Sequence, residues 1–428
     1  MAQNCFEKIK NIDIAVIGGG AAGFAAAICA AENSCDLKIA ILEKGARTGR
    51  KILATGNGRC NLSNNNLLLT RYHGKDKEFA LSALTEYDFD KTMNFFEKIG
   101  ILTTTLEDGK VYPMSLQASS VVDMLRLRAK KLKIEEITEF EVLDIQKNGE
   151  HFIISGNEKK LLKAKKVILC TGGKAAPEFG TDGSAYSLAQ KFGHNLTQVF
   201  PTLVQLKCDA KKVRALKGVK LMGNVTLLDG RKEIQKEYGE IMFTDYGLSG
   251  PPIFQLSRRA SEELNKRNKN IIVKVDLLPD YRYTQIEDIL LERRKNLADA
   301  ESENFLNGML NKQLAKQILK ESDENLKLNM LSGKITDKTI KVLANKIKGW
   351  EFEITGTNPW KNAQVTAGGI ETADIDDKTM ESKKIKGLYF AGEILDIDGD
   401  CGGFNLQWAW SSGFVAGKCA AQCIGGEK

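Results

Sequence analysis

The stretch "IDIAVIGGGAAGFAAAICAAE", Ile12–Glu32, decides the fold. A short β-branched apolar run leads into three glycines, and an Ala-rich helix follows. "KIAILEK", Lys38–Lys44, is a second strand, so the chain opens with a βαβ unit. The spacing Gly18-x-Gly20-x-x-Gly23 assigns a role to each glycine. Gly18 permits the tight turn, Gly20 lets backbone approach a pyrophosphate, and Gly23 lets the helix pack close to the strand. The helix opens with Ala21 and Ala22, whose end of the helix offers free N–H groups and partial positive charge to phosphate. Glu43 ends the second strand, 20 residues after Gly23, followed by Lys44. A carboxylate there accepts from ribose hydroxyls and repels a 2′-phosphate. The bound molecule is NAD or FAD; this motif alone does not choose.

Working outward, 428 residues are long for one core, so two or three domains are expected. The net charge of +7 is mild, with Lys-rich pieces at 158–166, 207–220 and 231–236 that read as solvated surface. Nine cysteines, at 5, 29, 35, 60, 170, 208, 401, 419 and 423, show no CxxC pair and no zinc spacing. Scattered thiols in odd number point to a reducing cytoplasm. Charges at Glu7, Lys8 and Lys10 and the lack of an apolar run with a cleavage site argue against a signal peptide. The apolar stretch 406–424 is broken by Gln407, two serines, two glycines and Lys418, so it reads as a buried helix rather than a membrane span. Three histidines leave little room for a metal site or a triad, and no metal is expected.

Further along, 76–100 and 119–131 read as helices, "KKVILCTGG" (165–173) as a strand entering a glycine turn, and 182–194 as a helix. From 196 to 279 short apolar runs alternate with turns, which predicts a β-rich insertion. From 280 to 358 there is no proline, and apolar residues fall at helical spacing. "WEFEITGT" is one more strand, and the tail returns to strand, turn and helix.

Four other passages carry chemistry. "VILCTGG" puts Thr171 and Gly172, and "GLYFAGE" puts Gly392 and Glu393, at strand ends. With the first motif these resemble the FAD domain of two-domain flavoproteins, where the dinucleotide lies over strand ends from both termini. "GDCGGFNLQWAW" places Gly403 and Asn405 at a helix start, fit either to stabilise an anionic reduced flavin or simply to cap the helix. "KILATGNGRCNLSN", Lys51–Asn64, is bare backbone with one cysteine in it.

With "FTDYGLSGPP" (243–252), "VTAGGI" (365–370) and the long run 379–413, the whole chain resembles the BaiN/aminoacetone-oxidase family of FAD-dependent oxidoreductases. The resemblance implies an α/β fold with a Rossmann-type FAD-binding domain built from both chain ends, 1–195 and 358–428. A β-barrel-like insertion occupies 196–279 and 346–357, and a nested helical subdomain 280–345. It also implies the site. Ala22 and Glu43 hold the pyrophosphate and the adenine ribose; Arg50 and Lys51 lie by the phosphate–ribityl part. Gly56, Asn57, Gly58 and Asn61 lie along the isoalloxazine, where bare backbone brings N–H donors to the ring. Val142 holds the adenine through its backbone, and Glu393, Asn405 and Leu406 close the other side.

Asn57, Asp245 and Tyr246 are the catalytic candidates, with Tyr112 a further pocket residue. Two positions depart from the family pattern: Cys401, where a Thr or another small or aromatic residue is expected, and Asp245, where many relatives carry His. Cys60 has no sequence neighbour for a disulfide, so it is expected to be packing rather than half of a redox pair with Cys401.

The leading expectation is an FAD-dependent oxidoreductase acting on a small or medium organic molecule, by C=C or C=O reduction or by amine or amino-ketone oxidation. The family also implies NAD(P)H as electron donor; a single complete GxGxxG leaves no dedicated nicotinamide domain, so either NAD(P)H docks transiently over the flavin or the reductant is something else. Neither a membrane nor a nucleic acid is expected as partner. An FAD-dependent tRNA-modifying enzyme and a non-catalytic flavin-binding protein are the alternatives from other classes.

Overall fold

A computed structural model describes residues 10–34, 36–266 and 270–425, so Cys5 and Cys35 lie outside the described residues. The chain divides into two compact units, Met1–Phe200 with Gln364–Lys428, and Pro201–Ala363.

In the first unit, runs with every residue buried become central strands. Ile14–Ile17 and Ile39–Leu42 are of this kind, the signature of a sheet covered on both faces. The sheet runs Glu135–Ile137, Ile39–Leu42, Lys10–Ile17, Leu161–Leu169, His151–Gly156, Val142–Asn148, with Leu388–Phe390 also paired to Leu161–Leu169. Its first four strands and Leu388–Phe390 are parallel; the hairpin 142–156 is antiparallel. Register aligns Ile137, Leu42, Ile17, Leu169 and Phe390 in one row. The chain therefore leaves five neighbouring strands at one level, where glycine-rich turns 18–20, 171–173 and 391–392 and Glu43 gather. Ligands of open parallel sheets bind beyond that edge.

The first helix, Ala21–Asn33, buries ten residues, seven of them Ala or Gly. Such a smooth surface admits a second helix at close range, and Phe404–Gly425 takes that place. A Cβ on Gly413 would come within 2.6 Å of Ala22 O, and one on Gly417 would run into the Ala26 carbonyl. The terminal helix also buries Trp408, Trp410, Phe414 and Val415, each large side chain contributing roughly 1.5–3 kcal/mol.

Two helices differ from the sequence reading. The expected helix over 76–100 is two, Ala80–Glu86 and Phe89–Lys98, because Asp88 takes the N-cap and accepts from Lys91 N at 2.9 Å. The helix expected over 182–194 shrinks to Tyr186–Gln190: Gly183 has φ +81°, and Asp182 accepts from Ser184 instead of entering a helix.

The second unit is a seven-stranded antiparallel sheet in the order Trp350–Glu353, Ile271–Asp276, Lys220–Asp229, Lys232–Phe243, Gly247–Ser249, Leu206–Lys207, Gly356–Thr357. Its two edge strands are separated by only Ile354 and Thr355, so the sheet curls into a barrel-like form. "WEFEITGT", read as one strand, is thus split between both edges. A helix absent from the sequence reading, Pro251–Asn265, lies in the same stretch, its start favoured by prolines at the first two positions. Helices Tyr283–Asn296, Lys312–Ser322 and Asp337–Lys348 share one apolar cluster with the strands.

Candidate active site

The three glycines of the opening motif meet three different surroundings. A Cβ on Gly18, at φ +104°, would strike the Cys170 carbonyl, and one on Gly23 would strike the Gly18 carbonyl. A Cβ on Gly20 would meet nothing within 4 Å. The first and third are small because protein presses on them; the second leaves open the space where a ligand backbone would pass. No side chain caps the helix at Gly20, so its first N–H groups stay directed at that space.

Glu43 is fixed beside it: Oε2 accepts from Gly19 N at 2.9 Å and Oε1 from Gly45 N at 2.8 Å. Thr48, not singled out by the sequence, is buried against Gly19 and donates to Glu136 at 2.5 Å. Along the same edge Phe140 N donates to Glu43 O at 3.0 Å, which brings the segment leading to Val142 beside the carboxylate. Lys44 pairs with Asp182 at 2.8 Å, and Arg50 donates to Glu178 O at 2.7 Å.

Lys51 forms an ion pair of 2.6 Å with Glu393, 342 residues away. Glu393 also accepts from Thr366 N at 2.8 Å and approaches the Gly172 turn. Gly392 lies against Ala22 and its N–H donates to Ser412 at 2.9 Å, while its carbonyl accepts from Trp408 at 3.2 Å. One terminal-helix face thus holds the Gly392 turn, and Trp410 donates to Leu62 O at 3.0 Å to hold the glycine loop.

That loop is contorted. Gly56, Asn57 and Gly58 all have positive φ, as does Cys60 (+59°). Left-handed backbone at a non-glycine is uncommon and marks a conformation imposed by its surroundings. A Cβ on Gly56 would lie 2.8 Å from Asn61 N and 3.1 Å from the Tyr112 ring, and one on Gly403 would lie 2.9 Å from Asn61 Oδ1. Gly56, Asn61, Tyr112 and Gly403 therefore converge. Asn405 spends its side chain on the loop before it, accepting from Gly399 N at 2.8 Å and donating to Gly399 O at 2.7 Å; Leu406 packs on the core. Asn61 Oδ1 and Thr171 Oγ1 are buried with no hydrogen-bond partner among the described residues. Unmet polar atoms on both glycine passages fit a polar cofactor laid between them.

Cys60 is fully buried, and burial pushes its thiol up to about 12 against the opposing hydrogen bond with Thr55. It is not a thiolate at neutral pH and packs as a small apolar group. The seven cysteines 29, 60, 170, 208, 401, 419 and 423 form no disulfide among the described residues. Asp245 and Tyr246 belong to the second unit. Lys217 pairs with Asp245 at 2.8 Å and lowers its carboxyl below the usual aspartate range, so Asp245 stays ionised.

The site's one hub that sequence reasoning missed is Gln407. Its Oε1 accepts from Ser63 at 2.6 Å, and its Nε2 donates to Thr92 (2.8 Å), Ser411 (2.9 Å) and Tyr87 O (3.3 Å). In the sequence it was only a break in an apolar run.

A parallel sheet with helices on it, glycine turns at its aligned strand ends and a ribose-type carboxylate define a Rossmann-type FAD-dependent oxidoreductase. Comparison with known proteins agrees: the model for the HI0933-like protein Rossmann domain matches residues 12–419. The chain belongs to that family. It is 38% identical to a 3-dehydro-bile acid delta(4,6)-reductase of Clostridium scindens over 409 residues, 96% of this chain and 99% of that protein. It is 30% identical over 407 residues to a ribosomal RNA dihydrouridine synthase of Haemophilus influenzae, covering 94% of this chain and 96% of that one. The expectation that nucleic acid is no partner therefore gains no support. The solved 3-ketosteroid-delta4-(5alpha)-dehydrogenase of Rhodococcus jostii RHA1 has the same fold, with TM-score 0.50 at 15% identity over 98% of this chain and 99% of that one. Among the described residues no helix is long and apolar enough to cross a membrane.

Proposed function

We propose that this chain reduces a carbon–carbon double bond conjugated to a carbonyl, in a small apolar molecule, with NAD(P)H as donor. The observation that carries the reading is chemical and comes from the two curated relatives. A delta(4,6)-reductase of a 3-dehydro bile acid and a dihydrouridine synthase both name reduction of a C=C that a carbonyl polarises. FAD, when bound, supplies the two-electron hydride step. Glu43, Lys51, Thr171 and Glu393 would hold and orient it, and the N–H groups of Gly56, Asn57, Gly58 and Asn61 would line its reactive ring. The N-terminus of the helix at Phe404 favours negative charge, and reduction of the ring adds it. The hairpin carrying Tyr112 exposes Leu102, Leu106, Met114 and Leu116, which suits an apolar substrate. With this reading go the three-part division given above and, from the free thiols, a reducing cytoplasm.

A second reading has its own support. Residues 201–363 hold 29 Lys and Arg against 22 Asp and Glu, while the rest of the chain balances at 33 each. All the net charge of +7 lies in the second unit, which would suit reduction of a uridine in ribosomal RNA. Incubating the holoenzyme and NAD(P)H with a 3-oxo-4-ene steroid, and separately with unmodified ribosomal RNA, separates the two. Gain of two hydrogens by the steroid supports the first reading; gain by uridine alone transfers it to RNA; gain by neither overturns both.

A further inference from the structure

We propose that Tyr112 is the proton donor of this reduction, giving its hydroxyl proton to the carbon next to the substrate carbonyl. The inference rests on the reduction of a small conjugated enone just argued. Addition of hydride to the far carbon of such a double bond leaves an enolate, which must be protonated on the near carbon. The net change adds one hydride from reduced flavin and one proton from Tyr112. NAD(P)H would supply the two electrons, carried by FAD when it is bound, and water returns the proton to Tyr112.

The placement comes from the fold. The strand Lys110–Pro113 lies between Thr103–Thr105 and Ser63–Asn64, with Tyr112 opposite Thr104 and Val111 opposite Ser63. It thus extends the backbone that follows the glycine loop, and the Tyr112 ring rests on Gly56. Only 4% of the residue is exposed, and no hydrogen bond among the described residues uses its hydroxyl. Other unpartnered tyrosine hydroxyls, of Tyr186 and Tyr389, are fully enclosed; that of Tyr112 is not among those enclosed atoms.

The electrostatics suit a donor. Burial raises the phenol, only partly offset by Arg59 and Lys110, so the O–H is intact at neutral pH. The Arg59 guanidinium lies over the ring, 4.9 Å from its centroid, where it would stabilise the phenolate left by donation. Three neighbouring groups are poorer donors. The Cys60 thiol is sealed in the core, the Tyr72 hydroxyl donates to Phe404 O at 3.3 Å, and Lys110 is paired with Asp108.

The test is Tyr112→Phe in the holoenzyme, with the two half-reactions followed anaerobically by flavin absorbance. NADPH should reduce the variant's flavin within about twofold of the parent rate, with FAD retention unchanged. Reoxidation by 2-cyclohexen-1-one should slow about 100-fold or more, the usual scale of general acid catalysis. In deuterated water the parent product should carry deuterium on the carbon next to the carbonyl. Reoxidation within threefold of the parent overturns the proposal. Should Y112F lose its flavin, Arg59→Met replaces it, with reoxidation expected to slow about tenfold and reduction unchanged; no slowing overturns the proposal. A parent enzyme that the enone cannot reoxidise instead sinks the underlying reading.

Discussion

Replacing Gln407 by Leu should unfasten the terminal helix from the flavin loop. The side chain is fully buried and joins Ser63, Thr92, Ser411 and the Tyr87 carbonyl. The partners do not suffer equally. Thr92 keeps its bond to Asp88 O at 2.7 Å, and Ser411 keeps its bond to Tyr87 O at 2.6 Å. Ser63 is left with Asn64 O at 3.4 Å, a poor acceptor. One stranded buried hydroxyl costs about 1–3 kcal/mol, and three further lost hydrogen bonds about 1 kcal/mol each. The added apolar surface of Leu returns about 1 kcal/mol. The net loss is about 3–5 kcal/mol, a fall in Tm of roughly 3–6 °C for a protein of this size. Differential scanning fluorimetry of parent and variant, with and without added FAD, reads it. Because Ser63 stands two residues after Asn61, FAD should also be retained less well. A Tm within about 1 °C of the parent would refute the reasoning, because no fully buried side chain with four polar partners is lost at that cost.

Glu43→Ala should weaken FAD retention by about tenfold or more, on the scale of one hydrogen bond to a charged group; unchanged flavin stoichiometry after dialysis removes Glu43 from the site. Cys60→Ser should leave flavin reduction within about twofold of the parent, since a thiol held near 12 takes no part as thiolate; a collapse in rate would give Cys60 a redox role. Burial would raise the Asp182 carboxyl, but Lys44 and Ser184 outweigh it and bring it down to about 2. A carboxylate depressed in the folded state stabilises above its ordinary pKa of about 3.9 and loses that contribution as pH falls toward 2. Asp182→Asn should therefore flatten the acid limb of a stability–pH profile below about pH 4, and an unaltered limb contradicts the pairing with Lys44.

Much of this was legible before the fold. Gly18, Gly20 and Gly23 announce themselves because each answers a local steric demand, and local demands leave marks at fixed spacing. The strand 388–390 and the turn at Gly392 could be matched to the opening motif for the same reason. What the sequence hides is pairing across distance. Lys51 and Glu393 are an ion pair only because the two ends of the chain enter one sheet side by side. Gln407 reads as an interruption until Ser63 and Thr92 are seen to converge on it. The breaks at Asp88 and Gly183 were missed because apolar periodicity continued past residues whose side chain or positive φ suits a cap or turn. For Asp245 the sequence supplied a motif and the structure a partner, Lys217, which holds it as a charged group.

The most direct measurement is the anaerobic visible spectrum of the purified protein, taken before and after NADH or NADPH and again after 2-cyclohexen-1-one. The account predicts a yellow flavin that one of the nucleotides bleaches and the enone restores, with cyclohexanone as product. A flavin that neither nucleotide bleaches, or one that is bleached by amines or amino-ketones and restored only by oxygen, would contradict it.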